Sequence, residues 1–234
     1  MNKILKIRHR IHERSPFFSK VVYAFDFDGT LTTKDTLIEF IIHVFGRPAC
    51  YKGFMKHWAM LTRMKMGLYS NSEAKERIFT YFFGGMRLSE FNYQCESFCE
   101  KNRFRLLRPD GILTIEKALA EGADVLIVSA SIENWVRPFF VLHDVKVAGT
   151  QIETQDDGSG DPVITGRFRT PNCYGPEKVN RIRALYPDRD DYRLIAYGDS
   201  RGDKEMLDYA DEEYLLYYER DRNDKDDEET AMPW

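Results

Sequence analysis

The chain of 234 residues is 43% hydrophobic and 31% charged, which excludes global disorder and leaves room for one large domain or a domain with an inserted companion. A formal net charge of -4 provides no broad basic field, so nucleic acid is not expected as a general partner. No apolar run approaches the roughly 18 residues that cross a bilayer, and Cys50, Cys95, Cys99 and Cys173 lack the paired short spacings of a disulfide framework, as expected in a reducing, cytoplasmic compartment.

Residues 1–20 are basic, with Lys3, Lys6, Arg8, Arg10, Arg14 and Lys20 against Glu13, and they carry no signal-peptide core. Ile4, Ile7 and Ile11 recur at helical spacing, which predicts a short helix packed on its own domain. Its basic outer face also suits weak contact with a membrane surface. From Val21 the run VVYAFDF, closed by the Gly29 turn, reads as a central strand buried on both faces of a parallel sheet, and ADVLIVS to Ser129 and YRLIAYGD to Asp199 have the same form. Residues 34–105 interrupt this pattern with helical stretches: TLIEFIIHVF, YKGFMKHWAMLTRMKMG, SEAKERIFTYFF and LSEFNYQCESFCEKN. They predict an inserted helical cap in which Phe54, Met55, Trp58, Met60, Met64 and Met66 mostly pack as core.

PDGILTIEKALAEG has a helix start at Pro109 and a stop at Gly122, and VAGTQIETQ with PVITGRF predicts a hairpin around DDGSGD. Residues 219–234 are charged and aperiodic and read as a disordered tail. The fold class expected is α/β: a doubly wound, mostly parallel, Rossmann-like sheet from residues 21–33 and 106–218 with the cap inserted between them. In such sheets chemistry collects beyond the carboxyl ends of the strands, where Asp26, Ser129 and Asp199 fall.

Asp26 and Asp28, two apart at a strand end, can present two carboxylates to one side while Gly29 turns the chain. One carboxylate can attack while the other moves a proton. A phosphate dianion repels an anionic nucleophile, so this chemistry requires a hard, oxygen-ligated cation such as Mg2+. Asp199 and Asp203, four apart in GDSRGD, suit a metal ligand and a supporting carboxylate. Ser129 can donate to a phosphoryl oxygen, and Lys178, early in a helix, can balance negative charge. Each fragment also has an ordinary structural explanation as a turn, a helix cap or a surface lysine.

The ordered set DFDGTLT at Asp26 to Thr32, VSAS around Ser129, NCYGPEK ending at Lys178 and AYGDSRGD ending at Asp203 resembles the haloacid dehalogenase superfamily. Within it, the chain is most similar to the phosphoserine-phosphatase-like branch. The resemblance implies Asp26 as nucleophile, Asp28 as general acid and base, and a covalent aspartyl-phosphate. It also implies Mg2+ held by the carboxylates of Asp26 and Asp199 and the main-chain carbonyl of Asp28, supported by Asp203. Ser129 and Lys178 would bind the phosphoryl group, with Asp35, Thr30 and Ala130 on the substrate side. Asp28 favours phosphatases and phosphomutases over dehalogenases and ion-pumping ATPases. Asp35 stands where phosphoserine phosphatases commonly have glutamate, Ala130 and Ser131 where they have glycines, and Arg63 or Lys65 near their cap arginine. The expected substrate is therefore a small phosphomonoester, either a metabolite or a lipid head group. A phosphotransferase using the same intermediate, or a non-catalytic phosphate-binding protein, are the alternatives.

Overall fold

A computed structural model describes residues 4–11 and 18–218. The expected tail at 219–234 lies outside them, as do Lys3, Glu13 and Arg14. The basic start is a correction: Ile4–Ile11 is not a helix but a strand, β1, antiparallel to β8 (Glu212–Tyr218). Alternation puts Arg8 and Arg10 on one face, 3.2 and 3.6 Å from the buried Glu213 carboxylate, and His9 on the other, 2.8 Å from Glu212. These cross-strand charge pairs require a period of two, which outweighs the helical recurrence of three isoleucines.

β1 and β8 form one edge of a six-stranded sheet whose other members are β2 (Lys20–Phe25), β3 (Asp124–Ile132), β4 (Val145–Thr150) and β7 (Tyr192–Gly198). The order is β1-β8-β7-β2-β3-β4, parallel throughout except for β1. The sheet is therefore doubly wound and mostly parallel, as expected. The expected hairpin is divided: β4 belongs to the main sheet, while β5 (Ile152–Gln155) and β6 (Val163–Phe168) pair separately.

Between β2 and β3 the chain forms α1 (Thr36–Lys56), α2 (Trp58–Lys65), α3 (Asn71–Phe83), α4 (Leu88–Leu106) and α5 (Pro109–Ala120). Asp35 starts α1 by accepting from the Leu37 and Ile38 N–H groups, and Gly46, at φ +81°, interrupts it ahead of Pro48. α6 (Glu133–Val136) follows β3, α7 (Pro176–Leu185) precedes β7, and α8 (Lys204–Tyr209) precedes β8.

Strand alternation gives the sheet two apolar faces. Phe25, Val125 and Ile127 face one cluster that also contains Phe40, Phe79, Phe83, Phe91 and Phe98 of α1, α3 and α4, together with Ile115 of α5 and Trp135 of α6. Val22, Leu126, Leu194 and Ala196 face the second cluster, with Ile182 of α7 and Met206 and Leu207 of α8. The four cysteines are free and buried: Cys50, Cys95 and Cys99 in the first cluster, Cys173 in the second. Of the α1–α2 residues expected as core, Phe54 and Met64 are buried, but Met55, Trp58 and Met66 are exposed. Among the described residues no helix is long and apolar enough to cross a membrane.

Candidate active site

The first βα turn begins where β2 ends. Asp26 is buried and its N–H donates to the Tyr197 carbonyl of the neighbouring strand, while Leu31 and Thr32 donate back to the Phe27 carbonyl to close the loop. Gly29 holds φ +86°, and a Cβ there would collide with the Asp199 carboxylate, so the tight turn and the approach of β7 both require glycine.

The Asp28 carboxylate is fixed from the helical side. Thr36 donates to Oδ1 through its N–H at 2.8 Å and its hydroxyl at 2.6 Å, and the Ser131 hydroxyl donates to Oδ2. Asp26 and Asp28 thus serve different surroundings: Asp26 lies against Lys178, whereas Asp28 lies at the start of α1. Ser129 follows the last regular pair of β3, Val128 with Ala148, where the register shifts, and its hydroxyl oxygen accepts the Ser131 N–H at 3.0 Å. That leaves its O–H as a donor.

Lys178, in the first turn of α7, is buried and donates to Asp26 Oδ1 and to Asp203 Oδ1, the latter at 2.6 Å. Asp203 Oδ2 accepts from the Asp199 N–H, the Ser200 N–H and the Ser200 hydroxyl. Both of its oxygens are therefore engaged in holding the loop and the lysine. Burial would depress Lys178, but the Asp203 and Asp26 carboxylates outweigh it and hold the ammonium above its ordinary range. Burial would raise Asp203, but Lys178 and the Ser200 hydrogen bonds bring it below.

Asp26 and Asp199 are less well compensated. Burial, then repulsion from Asp203, raises Asp26 well above the carboxylate range despite Lys178. Burial lifts Asp199 to about 6 against a hydrogen bond from the Thr30 hydroxyl, with Asp203 adding repulsion. One carboxylate oxygen from each of Asp26, Asp199 and Asp203 lies within 4.8 Å of the others. An all-oxygen donor set whose buried carboxylates have too little positive charge fits a hard divalent cation.

Asp26, Asp28, Asp35, Ser129, Ala130, Lys178, Asp199 and Asp203 line one cavity of about 510 Å³. Of the expected substrate-side residues, Thr30 is buried and is not among the residues lining the cavity, and its hydroxyl donates to Asp199. Asp35 spends Oδ1 on capping α1, and burial with Asp28 repulsion lifts it to about 6 against the opposing Lys75. Neither Arg63 nor Lys65 lines this cavity. Lys75 of α3 does, donating at 3.0 Å to the Ala130 carbonyl, and Asn71, Tyr174 and Arg201 join it. The sequence reading missed Lys75, Asn71, Tyr174, Arg201 and the anchoring roles of Thr36 and Ser131: Tyr174, Arg201 and Ser131 lie inside NCYGPEK, AYGDSRGD and VSAS without a role assigned to them, and Asn71, Lys75 and Thr36 lie outside those motifs.

The haloacid dehalogenase-like hydrolase family model matches residues 23–208, a span that begins in β2 and ends in α8 and contains every acidic residue of the site. The chain belongs to the haloacid dehalogenase-like hydrolases. Protein CicA of Caulobacter vibrioides is 34% identical over 194 residues, covering 82% of this chain and 84% of CicA. A structure of a protein of unknown function from Bordetella pertussis Tohama I matches with TM-score 0.69 at 19% identity, covering 82% of this chain and 87% of that one. A phosphoserine phosphatase carrying a phospho-aspartyl intermediate analogue matches with TM-score 0.52 at 19% identity, covering 82% and 84%. As in the sequence reading, this haloacid dehalogenase-like hydrolase collects its acidic motifs at the carboxyl ends of adjacent parallel strands, β2 and β7.

Proposed function

We propose that the protein is a magnesium-dependent phosphomonoester hydrolase that forms a covalent aspartyl-phosphate on Asp26. The observation that carries this reading is the buried Lys178 bridging Asp26 and Asp203, with the Asp199 carboxylate beside them. A lysine so placed orients Asp26 at the cavity floor, and the lysine and a bound cation together would offset the burial and repulsion that otherwise favour its protonated form, leaving a carboxylate able to attack phosphorus. The side chains of Asp26 and Asp199 would hold the magnesium ion with the Asp28 main-chain oxygen, while Asp203 orients the loop. Bound there, magnesium supplies positive charge that offsets the repulsion between the carboxylate and a phosphate dianion.

Asp28 is the proton carrier. Its three donors from Thr36 and Ser131 fix the carboxyl group where it can protonate the leaving oxygen, then accept a proton from the water that cleaves the aspartyl-phosphate. The Ser129 hydroxyl and the Lys178 ammonium bind phosphoryl oxygens. Asp35, Asn71 and Lys75 line the side of the cavity formed by α1 and α3, where the remainder of a small phosphorylated metabolite or a lipid head group would lie. Four free thiols support a reducing, cytoplasmic setting.

The test is phosphate release from an aryl phosphate in magnesium. Asp26→Asn should reduce turnover at least ~10³-fold while the circular dichroism spectrum is retained, and chelator should abolish wild-type activity. Wild-type turnover in purified Asp26→Asn would refute the nucleophile assignment.

A further inference from the structure

The segment between Glu39 and Glu73 contains no acidic residue and five cations, Arg47, Lys52, Lys56, Arg63 and Lys65, in a chain whose net charge is -4. All five are exposed, and Lys56 also stacks over the Tyr81 ring at 4.7 Å. Interleaved with them are large apolar side chains that the fold leaves in water: Tyr51 is 59% exposed, Trp58 61%, Met66 67% and Leu68 63%. Tyr51 and Met55, four apart, share a face of α1, and Trp58 opens α2 just past the break at His57. The opposite side is anchored: Phe54, Leu61 and Met64 are buried, and a Cβ at Gly53 would collide with Phe82.

We propose that this tip, the second half of α1 with α2 and the turn to Leu68, docks on the surface of an anionic phospholipid bilayer. Its chemistry is that of an interfacial helix: Trp, Tyr, Met and Leu enter the boundary between head groups and acyl chains, while surrounding Lys and Arg meet lipid phosphates. A partner that is only acidic accounts for the cations but not for the exposed indole and thioethers; a purely apolar partner leaves the cations unmatched. The basic N-terminal strand is a weaker candidate, because Arg8, His9 and Arg10 are matched by Glu212 and Glu213 within the sheet. Leu68 precedes Asn71, a residue of the cavity wall, by three positions, so docking holds the mouth of the cavity close to the lipid surface.

The experiment is co-sedimentation of the full chain with vesicles of phosphatidylcholine, with and without phosphatidylglycerol. Wild type should pellet only with the anionic vesicles, and release on raising salt. The pair Trp58→Ala with Leu68→Ala, and separately Lys52→Glu with Lys65→Glu, should each weaken partition by about tenfold or more. Both variants should keep wild-type aryl-phosphate turnover without vesicles, which separates this proposal from the assignment of the catalytic residues. Equal pelleting with neutral and anionic vesicles, or unchanged partition of the charge-reversed variant, would overturn it. So would a wild type that ignores both vesicles but self-associates through Trp58, since the face would then belong to a second copy of the chain.

Discussion

Gly29 shows how far a single position reaches. The sequence assigns it to a turn, and the structure adds that the space where its side chain would be is filled by the Asp199 carboxylate. Gly29→Ala should therefore cost about 1–2 kcal/mol from the positive φ and also displace a carboxylate of the acidic cluster. Under the magnesium-dependent hydrolysis we propose, the measurable result is a rise of roughly tenfold in the magnesium concentration for half-maximal activity, with a lower urea midpoint; an unchanged half-maximal concentration would show that Asp199 relaxes without consequence. At this scale the acidic residues were legible because they lie in short motifs at strand ends. Ser131 and Lys75 were not: they find Asp28 and Ala130 across 103 and 55 residues, and no local spacing encodes those meetings; Thr36 lies only 8 residues from Asp28, but its role depends on the turn that brings the start of α1 back to that carboxylate.

Elements are held in register by charge at the other end of the sheet. Asp124, at the start of β3, accepts from Lys20 of β2, Lys146 of β4 and the Tyr186 hydroxyl that follows α7. Burial would raise its carboxyl, but these donors outweigh it and bring it to about 2. The folded value lies below the unfolded one near 3.9, so the cluster stabilises the fold above about pH 4 and loses its contribution as pH falls through about 2. The stability difference between wild type and Asp124→Asn, read from urea unfolding, should be largest near pH 6 and shrink toward pH 2; a constant difference would exclude the linkage. Solvent exposure keeps it modest, about 1 kcal/mol or less. β2, β3 and β7 were readable as continuous apolar runs because both faces are covered. β1, β4 and β8 were not, since edge positions and cross-strand ion pairs mix Lys, Arg and Glu into them and erase the pattern.

At the scale of the molecule, the helices between β2 and β3 do not have a core of their own. Phe40 of α1 lies 5.3 Å from Phe83, 5.3 Å from Phe98 and 5.1 Å from Trp135 between ring centres, joining three helices to the segment after β3. The helical insertion was legible from periodicity, but its fusion with the sheet depends on which faces meet and was not. Phe40→Ala should cost about 3–5 kcal/mol and leave one cooperative transition, with far-ultraviolet dichroism and Trp fluorescence losing signal together; two separated transitions would show that the insertion unfolds independently. The shared core has a further consequence through its sulfur atoms. Three thiols are sealed on one side of the sheet and a fourth on the other, so none meets an oxidant or alkylating agent while the layers stay closed. The rate at which each becomes modified is a built-in clock for the opening of its own layer.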